Sequence, residues 1–309
     1  MRATFSQCLT QAAKENPNTV LLTGDHGYAL FDEFRRECPG QYINAGIAEQ
    51  NMVGVAAGLA KTGFFPIVYG LSAFVPIRVL EQIKMDLCYQ KLPALLIGDG
   101  AGVVYGQLGA SHQSTEDVAA LRGVPHITIY SPADRTELLW CFNEALHSGR
   151  TSYLRFGKAD LGAIHPQAGA SGGEAVNVST APRRLIGNGS EDIALIATGS
   201  MLKSAHLIAS ELERVALWSV PRLKPLAPEE LDPLIQGYKK VAILEEHSIY
   251  GGLGSIVCER IATLGASTKA LLLGINDQFS ELCGSYPYLI GQHGLGMETL
   301  RRKIIDFTH

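Results

Sequence analysis

The chain has 309 residues, 46% hydrophobic and 18% charged, with a net charge of -4 at neutral pH. That length allows about two domains with cores of their own, and the balance suits a soluble α/β protein rather than a disordered or fibrous one. The charge offers no footprint for nucleic acid, no apolar run approaches the roughly 20 residues that span a membrane, and the first residues lack a signal-peptide core, so a cytoplasmic protein is expected. Cys8, Cys38, Cys88, Cys141, Cys258 and Cys283 form no Cys-x-x-Cys pair or close Cys/His set. They read as reduced core thiols, with no metal held by the chain itself.

In chain order, β-rich runs at 19–23, 42–44, 65–69, 94–97, 126–130 and 152–156 alternate with helical patterns, which predicts a parallel sheet with crossover helices. The helix opening at Glu49 and running to Lys61 is so apolar (Met52, Val53, Val55, Ala56, Leu59, Ala60) that most of its circumference is expected to be buried. Ser131-Pro132 reads as an N-cap and first helical position for a segment ending at His147, and Ser114 ahead of Glu116 and Asp117 as a weaker start. Between 159 and 192 the pattern lapses into Gly, Ala, Ser, Pro and Asn, the best place for a boundary. A second series follows: strands at 193–197, 215–219, 241–244 and 269–273, with helices at 201–212, from 229, at 253–264 and from 297. The expectation is two tandem α/β domains, 1–182 and 183–309, both with mostly parallel sheets.

Several residues could carry chemistry. Glu49 stands where a short strand gives way to the apolar helix; it is either a first-turn acid favoured by the helix macrodipole or a carboxyl that burial keeps protonated as a hydrogen-bond donor. His112 lies on a glycine-rich loop beyond the strand at 94–97, the end where open parallel sheets bind ligands. Phe74 follows another strand end and is either core or a stacking platform, while Arg155 and Lys158 are surface charges or an anion clamp. Gly98-Asp99-Gly100-Ala101-Gly102 lacks the spacing of a dinucleotide loop. Gly251-Gly252-Leu253-Gly254 opens a helix, where it either receives an anion on its amides or permits close packing.

These pieces stop being independent when read together. Gly46-Ile47-Ala48-Glu49-Gln50-Asn51-Met52 and its continuation to Ala60, then Ser111-His112-Gln113, Glu116-Asp117-Val118-Ala119, Leu121-Arg122 and Ser131-Pro132-Ala133-Asp134, resemble in order and spacing the pyrimidine-binding domain of the transketolase family. Glu245-Glu246-His247-Ser248-Ile249-Tyr250-Gly251-Gly252-Leu253-Gly254 and Asp277-Gln278-Phe279 resemble its C-terminal domain. The resemblance implies thiamine diphosphate as cofactor, with Glu49 bonded to the aminopyrimidine N1′ and so activating the thiazolium carbon. By the same resemblance Phe74 stacks on the aminopyrimidine, Asp25 faces the thiazolium side, His112 contacts reacting substrate oxygens, and Lys158, or in its place Arg155, meets an acceptor phosphate.

Two departures from the family's pattern matter. The diphosphate-binding domain, with its Gly-Asp-Gly motif and downstream asparagine, is not found ahead of the match, and Gly98-Asp99-Gly100 is a decoy inside it. The expectation is therefore the C-terminal subunit of a split transketolase, whose partner subunit holds Mg2+ and the diphosphate, with two copies of each chain. Gln107-Leu108-Gly109 also stands where Glu-Asp-Gly is usual, so an acidic residue that grips a sugar hydroxyl is replaced and a specialised sugar becomes the expected substrate. The alternatives are a subunit resembling 1-deoxyxylulose-phosphate synthase or the beta chain of a 2-oxo acid dehydrogenase, acting on a 2-oxo acid, and a non-catalytic regulatory pseudo-subunit.

Overall fold

A computed structural model describes residues 1–157, 162–165 and 179–308. Two sheets organise it. The first contains β1 (Thr19–Thr23), β2 (Tyr42–Asn44), β3 (Phe65–Leu71), β4 (Ala94–Asp99), β5 (Ile127–Tyr130) and β6 (Thr151–Phe156); the second contains β7 (Arg183–Ile186), β8 (Ile193–Ala197) and β9 (Val215–Ser219). A three-residue strand, β10 (Arg222–Lys224), precedes β11 (Lys240–Ser248) and β12 (Lys269–Ile275), which complete the second sheet. The orders are β10-β5-β6-β4-β3-β1-β2 and β12-β11-β8-β9-β7. Among the described residues every strand pairing is parallel except β10 with β5 and β7 with β9, so the expected pair of mostly parallel α/β sheets is what the chain forms.

Central strands in such sheets are covered on both faces, and β4 is buried at every residue, as a run of Ala-Leu-Leu-Ile-Gly-Asp dictates. Gly98 is required there because a Cβ would stand 2.2 Å from the Tyr153 hydroxyl. The Glu49–Lys61 helix lays Met52, Val53, Ala56 and Ala57 into the core shared with Val20, Leu22 and Val68. Burial of one such large side chain is worth about 1.5–3 kcal/mol. Gly63, at φ +93°, turns the chain out after that helix.

Four sequence expectations need correction. Only one face of the Glu49–Lys61 helix is buried: Gln50, Asn51, Gly54, Val55 and Gly58 are exposed on this chain. The helix ending at His147 begins at Arg135, and its cap is Asp134, whose carboxylate accepts from the amides of Thr136 and Glu137; Ser131 instead donates its backbone N–H to the Pro221 carbonyl. Ser114 caps nothing, its hydroxyl donating to the Ser72 carbonyl. The lapse in pattern does not extend to 192, because β7 lies within it, and β10 returns from beyond the expected boundary at 182/183 to edge the first sheet.

Candidate active site

Glu49, Phe74, His112 and Asp25 sit on different connections and follow the carboxyl ends of neighbouring strands: Asp25 after β1, Glu49 at the start of the helix after β2, Phe74 after β3 and His112 after β4. Backbone geometry sets this end of the sheet. The Asn44 side chain accepts the Gly46 amide, and the approach of Gly24 to the Gly46 carbonyl leaves only 2.7 Å to where a Cβ would be. The close approach of Gly24 to Gly46 brings the β1 and β2 loops together.

The Phe74 ring is half-buried between two imidazoles, its centroid 5.8 Å from His26 and 5.4 Å from His112. Arg78, on the turn after β3, places its guanidinium 4.2 Å from the centre of the Phe74 ring. The same guanidinium donates from Nη1 to Oε1 of Glu49 at 2.9 Å. Glu49 is buried (4% exposed), whereas the Arg78 side chain is 45% exposed. Burial pushes the His26 imidazole below its ordinary value; Glu49 and Asp25 oppose that and Arg78 adds to it. The Nδ1 of His112 lies 3.0 Å from the Ser111 hydroxyl, and Leu108 on the same loop is 54% exposed.

Sequence reasoning missed His26 and Arg78. His26 was readable as the neighbour of Asp25, but the partner of Arg78 is 29 residues away and only the fold unites them. Arg155 is not placed as an anion clamp: it is buried, bonded through Nε to Asp117 at 2.8 Å and through Nη2 to the Ser114 and Glu246 carbonyls. Lys158 falls outside the described residues. Asp99 of the decoy triplet is buried against the Tyr69 hydroxyl at 2.7 Å and Arg2 at 3.3 Å, which is structural use.

The second glycine-rich loop resolves both of its readings at once. The amides of Leu253 and Gly254 do receive an anion, but it is the chain's own Glu245, 2.8 Å from each. A Cβ on Gly252 would lie 2.0 Å from that carboxylate, so the glycine exists for its close approach. Next to it Glu246 accepts from the Val103 amide and from the hydroxyls of Tyr286 and Ser200, and burial pushes this carboxyl above its usual range. His247 receives the Ala119 amide on Nε2 and donates from Nδ1 to the Ser248 carbonyl. The Glu245-Glu246-His247 run is thus a buried seam between the two sheets.

The residues around Glu49 suit a planar, nitrogen-bearing aromatic group. A buried carboxylate with a partly exposed partner stands near a half-buried ring, and a flat cation lies over that ring and donates to the acid. No metal-ligating cluster of His, Cys, Asp or Glu occurs among the described residues.

Residues 1–163 match the transketolase pyrimidine binding domain and 185–282 the transketolase C-terminal domain. A Methanocaldococcus jannaschii protein named as a transketolase C-terminal section is 31% identical over 99% of this chain and 95% of its own length. One of the subunits of an apulose-4-phosphate transketolase from Actinobacillus succinogenes is 32% identical over 94% of this chain and 92% of its own. A 1-deoxy-D-xylulose-5-phosphate synthase from Thioalkalivibrio sulfidiphilus is 34% identical over 95% of this chain, which spans 44% of it. Among solved structures, a split-gene transketolase described as an inactive beta4 tetramer superposes with a TM-score of 0.86, 28% identity, and coverage of 99% and 97%. The chain belongs to the transketolase family, as a transferase subunit made of its pyrimidine-binding and C-terminal domains.

Proposed function

We propose that this chain is the C-terminal subunit of a split, thiamine-diphosphate-dependent transketolase that moves a two-carbon ketol unit between sugars. The observation that carries the reading is the buried Glu49 carboxylate opposite the Phe74 ring at the carboxyl edge of a parallel sheet. When bound, thiamine diphosphate supplies a carbon nucleophile and electron sink for carbon–carbon cleavage. Glu49 would hold the aminopyrimidine by its ring nitrogen and move a proton there, Phe74 would stack on it, and Asp25 would face the thiazolium side. His112 would bond reacting substrate oxygens, and Lys158 would meet the acceptor's phosphate.

A second chain carrying the diphosphate-binding domain would hold Mg2+ and the diphosphate, in an assembly with two copies of each subunit. Two facts support the division of labour: relatives of the same length are named as a subunit or section, and the split-gene neighbour of matching length is described as inactive in its beta4 form. Leu108, exposed on the His112 loop where an acid is usual, favours a sugar lacking the usual hydroxyl pattern at that point.

The test is reconstitution. The purified chain mixed with its complementary subunit, thiamine diphosphate and Mg2+ is expected to transfer ketol units, and the chain alone is expected to be inert. Ketol transfer by the isolated chain would overturn the split reading, and release of carbon dioxide from pyruvate by the pair would replace transketolase by a synthase-type activity.

A further inference from the structure

Arg78 makes the two contacts that the proposed function assigns to the cofactor's pyrimidine ring. It donates to the Glu49 carboxylate at 2.9 Å, and its guanidinium lies 4.2 Å from the centre of the Phe74 ring. Both contacts use the surface that a planar, nitrogen-bearing ring would need. We infer that Arg78 is an internal placeholder for the aminopyrimidine, which keeps Glu49 paired while the site is empty and swings outward when the cofactor enters. The inference rests on the reading of Glu49 and Phe74 as the pyrimidine site.

The physical case has three parts. A buried carboxylate without a partner is costly, so a chain that folds before meeting its cofactor needs a temporary counter-charge at Glu49. Guanidinium suits the task because it is flat, stacks on aromatic faces and presents donors in its own plane, as an aminopyrimidine does; a lysine would offer the charge without the plane. The side chain can also leave without disturbing the backbone. It is 45% exposed, and the residue's other bonds are main-chain ones: its amide donates to the Phe74 carbonyl at 3.0 Å and its carbonyl accepts from Nε2 of Gln50 at 3.4 Å. His26, facing Phe74 from the other loop at 5.8 Å, has its own ring contact and need not move with it.

A placeholder competes with what it imitates. The apparent affinity of the site for thiamine diphosphate is then the intrinsic affinity multiplied by the fraction of molecules in which Arg78 is undocked. A half-exposed ion pair and a cation–π contact together correspond to a factor of about 5–30.

The experiment uses the full chain assembled with its complementary subunit, and reads thiamine diphosphate binding by calorimetry and by stopped-flow fluorescence, independently of turnover. Arg78→Ala is expected to tighten binding about 5- to 30-fold, chiefly through faster association, and Arg78→Lys to give an intermediate gain. In the isolated chain, thermal unfolding of Arg78→Ala, Glu49→Ala and the double variant is expected to show coupling between the two residues, and saturating cofactor in the assembled enzyme should abolish it. Unchanged or weaker binding by a folded Arg78→Ala assembly would overturn the placeholder, since Arg78 would then be neutral or a direct cofactor contact. Coupling that persists under saturation would overturn it as well. Glu49→Ala separates the two levels: if cofactor binding ignores that substitution, the pyrimidine-site reading itself falls, whatever Arg78 does.

Discussion

Two of the chain's buried acidic stations are built on opposite plans. At the seam between the sheets, Glu245 and Glu246 are enclosed by their own protein: two amides grip the first, and an amide with two hydroxyls grips the second. At the edge of the first sheet, Glu49 is equally buried, yet among the described residues its hydrogen-bond partner is one half-exposed arginine. Burial alone therefore does not mark a chemical site. On the proposed reading, what marks it is a buried acid whose partner can be exchanged, whereas an acid gripped from within by several donors of its own chain is a rivet.

The largest expected effect tests the first half of that contrast. Glu49→Gln in the assembled enzyme should lower kcat by about 100- to 10,000-fold, the usual worth of a positioned acid or base. The amide still accepts a bond from Arg78, so stability in urea should change by less than about 1 kcal/mol. Full activity in this variant would remove Glu49 from the chemistry and leave the two stations alike.

The seam should respond in the reverse way. Arg155→Ala leaves Asp117 buried beside the Tyr153 hydroxyl without its cation, and breaking such a pair costs about 3–5 kcal/mol. Glu246→Ala should cost about 3 kcal/mol, because the Val103 amide and the Tyr286 and Ser200 hydroxyls lose their acceptor together. Urea unfolding measures both. A folded Arg155→Ala enzyme whose stability is unchanged and whose acceptor KM is raised would show that Arg155 is an anion clamp after all and would dissolve the comparison.

Much of this arrangement was legible before the fold was seen, and the parts that were not share a cause. Strands such as β1, β4 and β8 announce themselves because parallel strands buried on both faces need unbroken apolar runs. Glu49, Phe74 and His112 were legible through motif spacing and strand ends, since each belongs to a local segment. In contrast, Arg222, Leu223 and Lys224 lie between Pro221 and Pro225 with no periodicity, and become β10 only because β5 offers an edge. Arg78 acquires meaning only across the fold, from Glu49. The Asp134 cap was obscured by Ser131-Pro132, a locally better signal that tertiary bonding to Pro221 and Gly199 had already claimed.

The smallest predicted effect sharpens the comparison at a third buried group. His165 packs edge-on against Trp140, with Nδ1 3.1 Å from Asp134 and Nε2 3.4 Å from Glu137. Burial pulls the imidazole down, but Asp134 and Glu137 outweigh it and raise it above its ordinary value. Asp134 is pushed up by burial and pulled further down by His165 and the amides of His165, Glu137 and Ile164, so it rests well below the usual carboxylate range. The raised histidine contributes stability that is complete below the unfolded histidine value of about 6.5 and fades as pH rises through its folded value. The depressed aspartate contributes stability that is complete above the unfolded value of about 3.9 and fades only as pH falls through its folded value. Between those two limits the chain should be most stable as far as this pair is concerned. His165→Gln should flatten the decline on the alkaline side and leave the acid side to Asp134, at a cost on the order of 1 kcal/mol near pH 6, about one net hydrogen bond. Thermal unfolding from pH 5 to 9 measures it. If the slope survives the substitution, His165 carries no proton-linked stability.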